Sequence, residues 1–109
     1  MSDHSNAIRE LNDELQKNPE AGIAVITPGV AALGVHAVQN IFRTIAIFDD
    51  FCRENDPYSE RDFGAFDASG ERIFFKIDYY NLDMTAHSPD PANPAVTKRV
   101  ITIMLAEEY

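Results

Sequence analysis

The sequence predicts an α+β fold, a small and mostly antiparallel sheet built on a hairpin at residues 62–80 and packed with two or three helices. Three patterns predict this class: alternating apolar residues around a turn at 68–70, a β-branched segment at 22–27, and two helical apolar stripes. The chain has 109 residues, a length that suits a single domain (residues 1–109) with one hydrophobic core.

The first helix is predicted from a short apolar stripe. Three side chains recur at i, i+3 and i+7 and would share one helical face: Ile8, Leu11 and Leu15. Ser5 or Asn6 is expected to cap the start of this helix, and Pro19 is expected to follow its end.

A strand and a second helix are predicted next. The segment GIAVIT (22–27) is short, apolar and β-branched, which is typical of a strand covered on both faces, and Pro28 interrupts it. After Gly34, six side chains trace a helical face: Val35, Val38, Ile41, Phe42, Ile45 and Phe48. Since few polar residues lie between them, we expect this to be the most buried helix.

The hairpin is the best-defined local element. Residues 62–67 and 71–80 flank the loop Ala68-Ser69-Gly70, in which glycine would take the left-handed position of a three-residue turn. With Asp67 paired to Glu71, six residues would face the core: Phe63, Ala65, Ile73, Phe75, Ile77 and Tyr79. Three aromatic residues would then face outward: Phe66, Phe74 and Tyr80.

The C-terminal segment allows two interpretations. Residues 81–93 are loop-like, and Asn93 followed by Pro94 is typical of a helix start. Beyond it, a stripe with helical spacing favours a helix: Val96, Val100, Ile103 and Met104. The β-branched run VITI (100–103) favours a strand instead. We expect the helix.

Six segments of the chain carry a resemblance: LNDEL, AVITPGVAALG, FDDFCRENDPY, ERDFGAF, GERIFFKIDYY and SPDPANPAVTKRVITIMLAEEY. In this order they resemble a family of small bacterial domains of unknown function, frequent in alphaproteobacteria and often carried on plasmids or other mobile elements. The resemblance implies no activity, cofactor or catalytic residue. The mobile-element neighbourhood implies a role in DNA maintenance, transfer or evasion of host defence.

The charge is strongly acidic and unevenly distributed. The formal net charge is -9, and residues 49–71 hold eight acidic and two basic residues, hence six of the nine excess negative charges. This balance argues against direct binding of nucleic acid, for which Lys and Arg are needed. It suits a basic, nucleic-acid-binding protein partner.

The N-terminal sequence, the lengths of the apolar stretches and the cysteine content exclude further classes of protein. The N-terminus lacks the basic and apolar regions of a signal peptide, and no apolar stretch reaches the ~18 residues of a membrane span. We therefore expect a cytoplasmic protein that does not bind a membrane. With one cysteine, Cys52, the chain forms no internal disulfide and no Cys-based zinc site.

No residue pattern identifies a metal, cofactor or catalytic site. Cys52 lies beside Arg53 but would need His36 or His87 as a base, and GxSxG and phosphate-loop motifs are absent. The acids of residues 49–56 lack calcium-loop spacing, and the histidines (His4, His36 and His87) form no helical pair. We expect no cofactor and no metal.

These observations favour a non-catalytic protein-interaction module. In its specific form, it is a mobile-element accessory factor that inhibits a host nucleic-acid-acting protein, in the anti-restriction or anti-CRISPR class. Carboxylates on one strand face recur about every 7 Å and could imitate DNA phosphates. The expected partner-binding acidic surface contains six residues: Asp49, Asp50, Glu54, Asp56, Glu60 and Asp62.

Two alternatives remain open. The first is a small enzyme or ligand-binding domain that uses acids of residues 49–71 with His87 or Tyr80, in a concave pocket with a perturbed carboxylate pKa. The second is a homodimer formed through the outward aromatics Phe66, Phe74 and Tyr80, unless another segment covers that face.

Overall fold

The computed structural model describes residues 3–51 and 56–109. The described helices are α1 (Asp3–Lys17), α2 (Pro28–Ala31) and α3 (Val35–Ile47), and the strands are β1 (Ile23–Ile26), β2 (Phe63–Ala68), β3 (Glu71–Tyr80) and β4 (Lys98–Leu105). One four-stranded sheet has the order β1-β4-β3-β2, with β1 parallel to β4 and the other pairs antiparallel. The predicted α+β class and mostly antiparallel sheet are confirmed.

The core lies between the helices and one face of this sheet. Side chains from α1 and α3 pack on the inward residues of the two central strands: Ile8, Leu15, Ile41, Ile45, Ile73, Phe75, Ile77, Ile101 and Ile103. Phe75 is fully buried, and the ring of Phe48 meets it edge-on at 5.3 Å. Within the described residues, no helix has both the length and the apolar character needed to cross a membrane.

Helix α1 forms where predicted but begins earlier. Because it starts at Asp3, Ser5 and Asn6 lie inside it rather than at its cap. Its buried face also carries two polar residues, Asn12 and Gln16. The Gln16 amide donates to the carbonyl oxygens of Ile45 (2.7 Å) and Phe48 (2.5 Å) at the C-terminal end of α3, where helical hydrogen bonding runs out.

Two burial predictions are wrong. Helix α3 is not the most buried helix: among the described residues it has two buried side chains against four in α1, and Val35 is 70% and Ile47 is 82% exposed. Strand β1 is not covered on both faces, since three of its four residues are exposed, and it forms an edge of the sheet beside β4. Val25 is accordingly 43% exposed.

The predicted hairpin is confirmed, but its register is wrong by one residue. Ala68 pairs with Glu71, so the loop is the two residues Ser69 and Gly70, with φ angles of 54° and 79°. Both lie in the left-handed region, as a two-residue type I′ turn requires. The inward face of β3 is as predicted, whereas every side chain of β2 changes face.

The expected C-terminal helix is wrong, and its alternative, a strand, is present. Asn93 caps a single 3₁₀ turn (Pro94–Val96), and β4 then runs through the middle of the sheet. Position decides this outcome, because β4 is hydrogen-bonded on both edges and buried along most of its length. A last 3₁₀ turn (Ala106–Glu108) folds back over the outward sheet face.

Candidate functional site

The helices leave the second face of the sheet uncovered, and its outward residues define the candidate site. On β3 these residues alternate between aromatic and charged: Phe74, Lys76, Asp78 and Tyr80. The C-terminal turn covers one end of this face, where the Tyr109 ring packs against Phe74 at 5.6 Å and Phe63 at 5.9 Å. Along the rest of this face Lys76, Asp78 and Tyr80 are partly exposed, whereas Val100 and Met104 of the neighbouring β4 are buried.

A concave groove lies beside this aromatic cluster. We call it the Asp62 groove, about 480 Å³ in volume and lined by Pro57, Tyr58, Asp62, Phe63, Lys76, Ile77, Asp78 and Tyr109. A neighbouring depression of about 290 Å³ shares Asp62, Ile77 and Asp78 with the groove and adds Tyr79, Tyr80 and His87. Two carboxylates therefore stand where the two concavities meet.

The groove exists because β2 is shorter than β3. Strand β2 pairs with β3 only as far as Lys76, and among the described residues pairing resumes at the bridge between Tyr80 and His87. Asp62, the residue just before β2, still bonds to β3, since its carbonyl accepts from the Ile77 N–H at 2.8 Å. The residues before Asp62 leave the edge of β3. The side of β3 between these points is left open, with Asp62 at its rim.

Asp62 is the electrostatically unusual group of the site. Burial, followed by the nearby Glu60, Asp56 and Asp78 carboxylates, raises the pKa of Asp62 from 3.8 to about 6, against the opposing effect of its own backbone N–H. Lys76 lies 3.4 Å from Asp78, and both side chains are more than one-third exposed. Because its pKa is raised to about 6, Asp62 can exchange a proton near neutral pH, which few carboxyl groups do.

We expect Asp62→Asn to stabilise the protein by about 1 kcal/mol at about pH 7.5. A raised pKa means that the folded state holds the proton more tightly than the unfolded chain does. The ionised carboxylate therefore destabilises the fold above about pH 6, and this effect decreases as the pH falls towards 4. The full shift corresponds to about 3 kcal/mol, reduced here because the group is half-exposed and screened.

Urea unfolding of the two proteins at about pH 7.5 and about pH 4 measures this effect. The gain from Asp62→Asn should shrink to a fraction at the lower pH. Asp83→Asn, at an exposed carboxylate in the 81–88 loop, should change little at either pH. A loss of stability in Asp62→Asn of equal size at both pH values would contradict the raised pKa.

A buried hydrogen-bond network holds the loop that carries Asp62. The Tyr79 hydroxyl donates to Glu60 Oε1 (2.9 Å) and accepts from Asn12 Nδ2 (2.8 Å), which also donates to the Glu60 carbonyl (3.0 Å). Asn12 Oδ1 accepts from Arg99 Nε at 2.9 Å. The network joins α1, β3 and β4 to the loop, so the position of the groove's rim depends on the core.

The backbone of this loop is strained on both sides of Glu60. Ser59 and Arg61 have φ angles of 58° and 57°, in the left-handed region that costs a non-glycine residue about 1–2 kcal/mol. The Asp56 carboxylate accepts from the Arg61 N–H at 2.9 Å, which satisfies a group at the bend. Such strain persists only where surrounding contacts over-determine it.

The structure divides the six residues of the predicted acidic surface. Asp49 and Asp50 are exposed beyond α3, whereas Asp56 is buried and Glu60 is hydrogen-bonded to Tyr79. Asp62 lines the groove, and Glu54 lies outside the described residues. The five described members belong to loops, so strand spacing of the kind that would imitate DNA phosphates is not formed here.

The predicted outward aromatics are divided as well. Phe74 and Tyr80 lie on the outward face, and Phe74 is partly covered by Tyr109. Phe66 was placed outward by the wrong register, and it pairs with Ile73 and packs against the core beside Phe48. Phe63 takes its place on the outward face. Phe66 therefore cannot contribute to a dimer surface together with Phe74.

Of the other described residues considered from sequence as catalytic groups, only His87 lies near Asp62. His87 lines the depression beside Asp62 and Tyr80, and His36 is exposed on α3. The structural placement of Cys52 and of the His4 side chain is outside the described part of the chain. Among residues 3–51 and 56–109, no group of three or more His, Cys, Asp or Glu side chains could hold a metal ion.

Sequence reasoning missed two members of the groove, Tyr58 and Tyr109. Alternation along β3 places Lys76 and Asp78 on its outward face, and with Asp67 paired to Glu71 the expected register put Lys76 opposite Asp62. Nothing in the sequence places Tyr109 at the groove, because its packing on Phe63 and Phe74 depends on the C-terminal turn folding back.

The turn is fixed by Glu108, whose carboxylate is acceptor for three donors. Oε1 accepts from Thr27 Oγ1 (2.6 Å) and the Leu105 N–H (2.8 Å), and Oε2 accepts from the Gly29 N–H (3.1 Å). These bonds, the Thr27 hydroxyl first, lower the pKa of Glu108. They hold Tyr109 against the groove.

The chain was compared with known proteins. A family described as protein of unknown function (DUF3768) matches residues 26–108, from the end of β1 to the C-terminal turn. No curated protein and no solved structure matches the chain. The matched region contains every lining residue of the Asp62 groove except Tyr109.

Proposed function

Because the chain belongs to the DUF3768 family of proteins of unknown function, we propose its function from the groove: a non-catalytic interaction module that binds a basic protein. The observation that carries the proposal is the convergence of Asp62 and Asp78 with three aromatic rings in a concavity on the sheet face that the helices leave open. Carboxylates beside aromatic surface complement positive side chains.

The finer form of this proposal is an accessory factor of mobile DNA that inhibits a host nucleic-acid-acting protein. It is supported by the resemblance to plasmid-borne bacterial domains and by the net charge of -9. Enzymes that act on nucleic acid present basic grooves, and an acidic domain that occupies one would exclude the phosphate backbone. Of the six residues expected for the acidic surface, the binding region we propose keeps Asp62 and adds Asp78, since Asp56 is buried and Glu60 is hydrogen-bonded to Tyr79.

Affinity capture from an extract of the native host tests the proposal. The wild-type chain should retain a stoichiometric nucleic-acid-processing protein that raised salt releases. The variant Asp62→Asn/Asp78→Asn should lose it, while the matched control Asp49→Asn/Asp50→Asn, at exposed acids outside the groove, should keep it. Equal capture of the partner by all three chains would contradict binding through the groove. Loss of the partner in Asp49→Asn/Asp50→Asn alone would place the binding site at residues 49–50 instead.

A second function is favoured by one observation, the depression that brings Asp62, Tyr80 and His87 together. A carboxyl group with a pKa near 6 beside an imidazole could serve a small enzyme as a general acid or base. This candidate predicts turnover in a panel of esters, phosphoesters and glycosides, with an acid limb near pH 6 that Asp62→Asn removes. Turnover that is unchanged in Asp62→Asn and His87→Ala would dismiss it.

A further inference from the structure

We propose that the Asp62 groove accepts a single arginine side chain of the partner, with its guanidinium group at Asp62 and Asp78 and its flat face against the aromatic wall. The inference rests on the proposed function and specifies the group that is bound. It commits the groove to one occupant, a guanidinium group, rather than to a general basic surface.

Size and shape support one side chain. A volume of about 480 Å³ is at the lower end of the range for small-ligand sites, which suits one long side chain. The groove lies against the open part of the β3 edge, which is confined between the Asp62–Ile77 hydrogen bond and the Tyr80–His87 bridge and is too short for a strand to pair along it. A flexible side chain that enters from the surface could reach Asp62.

The arrangement of charge supports a cation. Two carboxylates, Asp62 and Asp78, line the groove with one ammonium group, Lys76, which already pairs with Asp78 at 3.4 Å. Glu60 and Asp56 stand behind Asp62 and add negative potential. Among the described residues Asp62 forms no ion pair, so an incoming cation can pair with it and share Asp78 with Lys76.

The aromatic wall favours guanidinium over ammonium. Tyr58, Phe63 and Tyr109 present ring surface in the same groove, and the rings of Tyr58 and Tyr109 are largely exposed. Guanidinium is planar, is weakly hydrated, stacks on rings and can bond a carboxylate through two N–H groups, whereas an ammonium group is a compact, strongly hydrated charge. The site therefore distinguishes two side chains of equal charge.

Binding should be coupled to the protonation of Asp62. A guanidinium group stabilises the ionised carboxylate, so at about pH 6 occupancy releases a fraction of a proton, and at about pH 8 the proton is already gone. The charged or titratable groups that raise the pKa of Asp62 or line the two concavities with it are Asp56, Tyr58, Glu60, Lys76, Asp78, Tyr79, Tyr80, His87 and Tyr109.

The test uses three neutral-ended probes, the Nα-acetyl amides of arginine, lysine and citrulline, titrated into the ¹⁵N-labelled full chain and followed by NMR. Arginine should give saturable shifts at Asp62, Lys76 and Asp78, lysine should bind about fivefold more weakly, and the uncharged citrulline should give none. Calorimetry in two buffers of different ionisation enthalpy should report proton release at about pH 6 that disappears at about pH 8.

Asp62→Asn should weaken arginine about tenfold, and it remains interpretable because it is expected to fold. Asp67→Asn, at an exposed acid that pairs with Arg72 outside the groove, should change nothing. Lysine as tight as arginine, shifts with citrulline, or no shift up to about 50 mM arginine would overturn the inference. Capture of a partner that depends on Asp62 and Asp78, without arginine binding, would overturn it and leave the interaction module standing.

Discussion

Asn12→Ala is expected to lower the free energy of unfolding by about 3 kcal/mol. Asn12 is fully buried, and its amide serves three other elements at once, as donor to the Tyr79 hydroxyl and the Glu60 carbonyl and as acceptor from Arg99. Removing the Asn12 amide leaves Arg99 Nε and the Glu60 carbonyl desolvated without this partner, which costs more than the bonds themselves contribute. Arg99 accounts for the largest part, because it is a buried charged donor that loses an acceptor, although it keeps the Pro91 carbonyl.

Urea unfolding at neutral pH measures this loss. Asn40→Ala makes the same change on the exposed side of α3, where Asn40 Oδ1 accepts only from Arg43 at the surface, and it should cost less than about 0.5 kcal/mol. Tyr79→Phe keeps the ring that lies under Arg99 and removes the hydroxyl, so an intermediate loss of about 1–2 kcal/mol is expected. A loss in Asn12→Ala no larger than in Asn40→Ala would show that the network does not stabilise the fold.

The same substitution should also affect the groove. The network is the contact through which α1 holds Glu60, two residues before Asp62. We therefore expect faster amide exchange in residues 58–62 of Asn12→Ala, while the β3–β4 amides remain protected. The core and the binding site share these bonds, which explains how a change 50 residues away in sequence would weaken binding of a partner.

The hairpin shows which part of the fold could be predicted from sequence. The inward face of β3 is a property of local alternation, so Ile73, Phe75 and Ile77 were placed correctly. The register depends on the turn, and Ser69-Gly70 does not carry the asparagine or aspartate that usually marks a two-residue loop. Counting Ala68 into the loop shifted β2 by one residue, and a shift of one residue exchanges its faces.

The predictions for the C-terminal segment and β1 were wrong for a different reason. The structure of each segment depends on partners far along the chain. The stripe Val96, Val100, Ile103 fits a helix, while the run 100–103 fits a strand, and only the open edges of β1 and β3 decide between them. An apolar strand such as β1 is usually central, but here it is placed at an edge by the order of the sheet.

The candidate site was predictable in chemistry but not in geometry. Asp62 was among the predicted acidic residues, and Phe74 and Tyr80 were expected on the outward face of β3. Their meeting point depends on where β2 stops pairing, which follows from the register. Asn12 did have a signal, since it lies four residues after Ile8 and three before Leu15, at a buried position of the same helical stripe.

Gly64→Ala is the second change with a large expected effect, a loss of about 3 kcal/mol in the free energy of unfolding. A Cβ built on Gly64 would lie 2.5 Å from Cζ of Phe75 and 2.7 Å from Cε1 of Phe48. Both rings belong to the packed core, where Phe75 is fully buried and meets Phe48 edge-on. The rings cannot move aside without displacing other core residues, and overpacking of this kind costs about 1–3 kcal/mol or more.

The sign of this effect distinguishes the two registers of the hairpin. In the register expected from sequence, Gly64 lies on the outward face, where alanine would reduce the entropy of the unfolded chain and stabilise by up to about 1 kcal/mol. In the observed register it lies beneath the Phe75 ring, and alanine must destabilise. Unfolding of Gly64→Ala by urea therefore tests the pairing of Gly64 with Phe75 directly, and a neutral or stabilising result would contradict it.

A double-mutant cycle with Phe75→Leu separates the steric clash from any other consequence of the alanine. Leucine removes ring atoms that the new Cβ would meet, so Gly64→Ala should cost at least about 1 kcal/mol less in the Phe75→Leu background than in the wild type. Equal costs in the two backgrounds would place the penalty in the backbone of β2 rather than in its packing. The groove depends on this register. The same pairing that puts Gly64 under Phe75 puts Phe63, the first residue of β2, opposite Lys76, and so leaves Asp62 at the open edge of β3.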